Sequence, residues 1–134
     1  MNNSAALVLM TDFGLRDGAV AAMKGVARGV NTALDVVDLT HEIPAFNILE
    51  GGYRLRQTAP YWAAGTVFVI VVDPGVGTNR KSVAAKDAGG RIYVCPDNGL
   101  LTLKVICCFK LSFIEVLSFV ILANNRMLWR MCLK

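Results

Sequence analysis

Residues 69–82 read VIVVDPGVGTNRKS. A β-branched apolar run ends in Asp73. Pro74, Gly75 and Gly77 follow, and Arg80 comes seven positions after the acid. A β-branched run bounded by turn residues predicts a buried strand over residues 67–72 that stops at a tight loop. Pro74 fixes φ, and the two glycines permit a reversal that folds Arg80 back over Asp73. A carboxylate beside a guanidinium stays ionised, and a bidentate contact between them is rigid. Such a pair can orient a water or a ligand. It can equally brace the loop, because ion pairs also occur away from functional sites.

The surrounding chain repeats the arrangement. Residues 5–10 form a short apolar run that meets Thr11-Asp12, which predicts a buried first strand. Residues 18–30 (GAVAAMKGVARGV) are Ala-rich with helical spacing, and Asp17 is placed to cap them. Residues 34–39 predict a second strand, 40–43 a loop, and Pro44 bars its continuation. Residues 47–61 predict a helix that stops before Pro60. Residues 82–85 and 91–94 predict a hairpin around Ala88-Gly89-Gly90, and residues 96–99 (PDNG) a turn. Strands alternating with helices predict an α/β domain, a three-layer sandwich with a mostly parallel central sheet. "TDFG", "DLTHEIP" and "VVDPGVG" each set an acid where a strand is expected to meet a loop. Ligands of open α/β sheets sit beyond the carboxyl ends of the strands. Asp12, Asp38 with His41, and Asp73 are therefore expected to converge on one crevice.

Composition removes several classes. The chain has 134 residues and a net charge of +4, with a mean hydropathy of +0.48. Residues 1–103 carry nine basic and nine acidic side chains, so the whole excess sits in residues 104–134. No basic stripe interleaved with aromatics appears in the first 103 residues, which argues against nucleic acid as a partner. Three of the four cysteines (Cys107, Cys108, Cys132) lie after residue 103, and no CxxC or Cys/His metal spacing exists. That pattern suits a reducing, cytoplasmic setting with neither metal nor disulfide framework. The start, MNNSAALVLM, has no basic n-region and too short an apolar run for a signal peptide.

Residues 75–82 (GVGTNRKS) fall short of a phosphate loop, since Arg80 stands where Gly must precede the Lys-Ser pair. No GxGxxG, GxSxG or HExxH occurs, and the Asp-Phe-Gly triplet lacks the other kinase motifs. Asp12 can grip a diol through its two carboxylate oxygens, or cap the following helix. His41 is the sole His, so a triad that needs His would use it; its neighbours suit an ordered loop equally well.

Taken in order, "TDFGLRD" (11–17), "MKGV" (23–26), "DLTHEIPAFNILEG" (38–51), "GTVFVIVVDPGVGTNR" (65–80) and "PDNGLLT" (96–102) resemble the N-terminal domain of the S-adenosyl-L-methionine hydroxide adenosyltransferases, the group that includes the fluorinases and chlorinases. The resemblance implies attack at C5′ of the ribose of S-adenosylmethionine (SAM) with expulsion of methionine. SAM is then the substrate, with no cofactor and no metal. It implies that Asp12 grips the ribose beside Phe13 and that Asp17 is the second acid of that motif. Phe46 would lie near the ribose or the methionine part, and Asn98 would also contact substrate. Asp73 and Arg80 would be two members of an Asp-Arg-His set that positions the attacking water. The related halogenases carry a Tyr at the position of Asp73 and a long insertion before "DNGLLT". Asp73 and the short span from Arg80 to Asp97 point to the branch that uses water.

The likeness stops after Leu103. The family's water-positioning His and its C-terminal β-rich domain, which helps close a neighbour's site in a homotrimer, have no counterpart beyond that residue. The expectation is a partial N-terminal domain over residues 1–103. Residues 104–134 would be a divergent apolar, basic tail arising from a frameshift or an unspliced intron, with a replacement helix or a membrane anchor as alternatives. On that expectation the chain is a truncated SAM hydrolase of doubtful activity, with a non-catalytic nucleoside-binding remnant or a non-functional fragment as its alternatives.

Overall fold

A computed structural model describes residues 6–103 and the backbone of residues 112–113. Strand β1 (Ala6–Thr11) leads to helix α1 (Ala19–Val30) and strand β2 (Asp35–Thr40). Helix α2 (Ile48–Thr58) follows, extended by a 3-10 turn (Ala59–Tyr61), and then strand β3 (Val67–Val71). Strands β4 (Ser82–Lys86), β5 (Ile92–Pro96) and β6 (Ser112–Phe113) complete the described elements.

The sheet order is β2-β1-β3-β5-β4-β6. β2, β1, β3 and β5 are parallel, and β4 pairs antiparallel with β5 and with β6. The chain steps from β1 outward to β2 and then back past β1 to β3. Right-handed crossovers running in opposite directions put α1 and α2 on opposite faces, which makes three layers. Burial agrees. Leu55 of α2 and Ala59 join Val8, Met10, Phe68, Ile70, Val72 and Tyr93 in one core cluster. Leu9, the alternate residue of β1, is buried outside that cluster, as are Val20 and Met23 of α1. The Phe68 and Tyr93 rings stack with centroids 5.2 Å apart, and Trp62 meets Phe68 edge-on at 6.2 Å.

Local chemistry sets the ends. Asn47 caps α2 by accepting from the Glu50 N–H at 3.0 Å. The helix stops at Thr58, and Pro60 sits inside the 3-10 turn. A 3-10 turn tolerates Pro in its first positions because those N–H groups have no partner to lose. Strand β2 keeps Thr40, and β5 runs on through Pro96, so the turn after it contains Asp97-Asn98-Gly99 alone.

Residues 104–134 lie outside the described residues, save the β6 backbone; the readings of them as tail, helix or anchor fall there. No helix among the described residues is long and apolar enough to cross a membrane.

Candidate functional site

Thr11 is paired with Val71 at the ends of β1 and β3. Asp12 and Asp73 therefore leave neighbouring strands at the same edge of the sheet. β1 is also where the strand order reverses, between β2 and β3, and the crevice at such a reversal is the usual ligand position. His41 leaves β2 on one side of these acids, and Asn98 follows β5 on the other.

Asp73 is 2% exposed. Its Oδ1 accepts from the Gly75 N–H at 2.9 Å and lies 3.0 Å from Arg80 Nε. Its Oδ2 is buried and has no hydrogen-bond partner among the described residues. The Arg80 contact is thus one-pronged, and poorly aligned as a hydrogen bond, rather than the bidentate pair the spacing suggested. The guanidinium is divided between two duties, because Nη1 donates to the Asp97 carbonyl at 3.3 Å. A buried carboxylate oxygen aimed at no protein donor costs free energy unless water or a ligand satisfies it.

The two glycines of this loop have different tasks. Gly77 adopts φ +84°, the left-handed turn conformation. Gly75 has no positive φ; a Cβ there would stand 2.5 Å from Arg80 Nη2 and 2.7 Å from Nε. Gly75 is what lets the guanidinium lie on the loop.

Asp12 Oδ2 accepts from the Phe46 N–H at 2.8 Å. Phe46 itself has φ +63° and a side chain mostly in solvent. A bulky residue held in that region marks strain maintained by its surroundings. Phe13 donates its N–H to Thr11 Oγ1 at 3.2 Å. Asp17 accepts from the Ala19 N–H at 2.9 Å, but it stands one residue ahead of the N-cap, which is Gly18, so it is not the cap expected of it. The Asn98 amide donates to the Val72 carbonyl at 2.8 Å and accepts from the Leu100 N–H at 3.1 Å. In this state Asn98 ties the turn to the end of β3.

Asp38 departs from expectation. It lies inside β2 rather than at its end, beside an irregular register: Leu9 pairs with Asp38, but Met10 pairs with Thr40. Its carboxylate contacts Lys24 Nζ at 2.6 Å and His41 Nε2 at 3.1 Å. Partial burial alone would raise the Asp38 carboxyl, but the Lys24 and His41 contacts outweigh that and hold it below its ordinary value. Buried His41 and Thr11 meet at 2.8 Å. Reasoning from the sequence left Thr11 and Lys24 without a role. The signals were there in the solitary His and in the Lys of "MKGV", but separations of 30 and 14 positions show only once the strands are paired. Cys95 is buried at the end of β5, and burial with the Asp97 charge pushes its thiol up to about 12, so it is no nucleophile at neutral pH. The described residues contain no group of three His, Cys, Asp or Glu that could hold a metal ion.

A mostly parallel α/β sheet with two acids at adjoining strand ends, one of them with a buried oxygen that no described residue satisfies, is the arrangement that switch-point ligand sites use. The sequence model of the SAM hydroxide adenosyltransferase N-terminal domain matches residues 7–116, and the chain belongs to that family. It is 42% identical over 100 residues to an (R)-S-adenosyl-L-methionine hydrolase of Methanocaldococcus jannaschii, covering 72% of this chain and 38% of that protein. It is 29% identical over 118 residues to a fluorinase of Actinopolyspora mzabensis, covering 72% of this chain and 40% of that one. The crystal structure of an uncharacterized conserved protein from Thermotoga maritima superposes with a TM-score of 0.76 at 33% identity, over 81% of this chain and 43% of the other. The chain thus spans well under half the length of these relatives.

Proposed function

We propose that this site hydrolyses SAM to adenosine and L-methionine. The observation that carries the reading is the buried Asp73 Oδ2, unpartnered at the strand end beside Asp12. Asp12 and its loop receive the ribose hydroxyls, with Phe13 and Phe46 against the nucleoside or the methionine part and Asn98 at the rim. Asp73 Oδ2 and Arg80 hold a water in line with the C5′–S bond. The water oxygen attacks C5′, the C–S bonding pair returns to sulfur as the thioether of methionine, and the water's proton leaves by way of Asp73 to solvent. The sulfonium is already a good leaving group, so positioning and exclusion of bulk water supply the acceleration. A halide nucleophile fits less well, because the Asp73 carboxylate would repel it. In this reading the protein works in the cytoplasm on SAM alone, and its full site matures in a homotrimer.

The test is to incubate the 134-residue chain with SAM and quantify adenosine and methionine, with Asp73→Asn alongside. Equimolar products, falling roughly 100-fold or more in the variant, support the reading. Binding without turnover in the unaltered chain would reduce it to a nucleoside-binding module, and absence of both would overturn it.

A further inference from the structure

We propose that His41, acting through Thr11, is a positioning residue that sets the Asp12 loop for the ribose. This rests on the proposed role of Asp12. His41 touches neither Asp12 nor the unpartnered oxygen of Asp73 among the contacts described, yet it grips the loop that carries Asp12 at two points. Its backbone carbonyl accepts from the Gly14 N–H at 2.7 Å. Its ring Nδ1 lies 2.8 Å from Thr11 Oγ1, and Thr11 Oγ1 accepts from the Phe13 N–H. Asp12 stands between these anchors and is held from its far side by the Phe46 N–H.

The proton inventory is self-consistent. Thr11 Oγ1 takes the Phe13 N–H, so its own hydroxyl proton is free to go to His41 Nδ1. A bare Nδ1 puts the imidazole proton on Nε2, which faces Asp38 Oδ1. That approach is close but bent away from a well-formed hydrogen bond, so Asp38 acts on the ring chiefly as a fixed charge. Lys24 holds the other Asp38 oxygen. The series Lys24–Asp38–His41–Thr11 thus runs from α1 through β2 to the end of β1.

The register break favours a purpose beyond bracing. Pairing that jumps from Asp38 to Thr40 against consecutive Leu9 and Met10 is an extra residue in β2. Bulges re-aim side chains, are rare between parallel strands, and gather beside functional sites. Here the extra residue falls just before His41, whose ring points inward at 3% exposure. A buried imidazole with one bent contact is a poor choice for stability alone.

The experiment uses four variants. His41→Leu and Thr11→Val remove the contact. His41→Asn keeps a polar group at the place of Nδ1, and His41→Gln reaches only toward Asp38. Two readouts are taken on each folded protein: amide hydrogen exchange by NMR, and the ratio of dissociation constants for 2′,3′-dideoxyadenosine and adenosine. Loss of one anchoring hydrogen bond should speed exchange at Phe13 and Gly14 by about five- to tenfold and leave Leu55 of α2 unchanged. The ratio should collapse toward one in His41→Leu and Thr11→Val, and recover in His41→Asn but not in His41→Gln. Uniformly faster exchange across α2 and the sheet would make His41 a stability residue and overturn the proposal. Faster exchange at Phe13 with an unchanged ratio would overturn it equally. A ratio of one in the unaltered protein would instead sink the ribose role of Asp12, whatever the exchange data show.

Discussion

At Gly75 and Gly77 the same residue type does two jobs, and substitution should separate them. Alanine at 75 is compatible with the backbone but occupies the space of the Arg80 guanidinium. Arg80 must swing away from Asp73, so Gly75→Ala should lose turnover by roughly 100-fold; its loss of stability comes from the buried Asp73 charge left without its partner and should shrink when Asp73→Asn is added. Alanine at 77 meets a positive φ and should cost about 1–2 kcal/mol of stability. Urea titrations and product assays check both; a stability loss in Gly75→Ala that is as large in an Asp73→Asn background would contradict the division. Phe46 is a third case at this scale. Its N–H is committed to Asp12, so its strained backbone and the acid's orientation are one feature.

Among the elements, what could be read in advance was what depends on near neighbours. The β-branched run before Asp73, the Ala-rich stretch after Asp17 and the Gly89-Gly90 turn each declare their conformation within a few residues, and β3, α1 and the β4–β5 hairpin stand where they pointed. The ends moved by a residue or two, because hydrogen bonds to a neighbouring strand decide whether Thr40 or Pro96 is still strand. The Asp73–Arg80 contact and the strand-end place of Asp12 were legible because a strand end and a glycine loop announce them. The Thr11–His41 contact and the bulge at Asp38 were hidden, since both depend on the register between β1 and β2. Helix α2 carries a similar hidden requirement in adjacent glycines. A Cβ on Gly51 would meet the Leu100 methyl at 3.4 Å, an ordinary contact, whereas one on Gly52 would meet the Leu100 carbonyl oxygen at 2.7 Å. Gly51→Ala should therefore gain up to about 1 kcal/mol from helix propensity. Gly52→Ala should lose about 1–3 kcal/mol by forcing α2 off the Asn98–Leu100 turn. Chemical denaturation of the two single variants measures the opposite signs, and a shared sign would show that α2 can slide on the sheet.

Over the whole molecule, the site edge is balanced by an ionic brace at the opposite edge of the parallel strands. Where the β4–β5 hairpin turns, Tyr93 Oη donates to Asp87 Oδ2 at 2.7 Å, and Arg91 Nε approaches the same oxygen at 2.9 Å. Arg91 Nη1 reaches on to the Ala59 carbonyl at 3.1 Å, which ties the hairpin to the end of α2. Burial alone would raise the Asp87 carboxyl, but the bonds from Tyr93 and Arg91 outweigh it and hold it below its ordinary 3.8. Burial and then the Asp87 contact push the Tyr93 hydroxyl well above its ordinary 10.0. The two groups act on opposite limbs of the pH profile. Asp87 is depressed on folding, so the unfolded chain binds its proton first as pH falls; the stability it contributes is full above the unfolded value and drains away below about 4. Tyr93 is raised, so the unfolded chain loses its proton first; its contribution is full below about 10 and is lost as pH rises beyond it. Asp87→Asn should accordingly flatten the acid limb of unfolding free energy against pH, and Tyr93→Phe the alkaline limb, each also lowering the plateau by about 1–3 kcal/mol through the partner left unsatisfied. Urea denaturation across the pH range, run on both variants and the unaltered chain, reads these slopes. An alkaline limb as steep in Tyr93→Phe as in the parent would mean that the Tyr93–Asp87 contact adds nothing to the stability of that edge, leaving its hold to the Arg91 contacts with Asp87 and Ala59 and to ring packing.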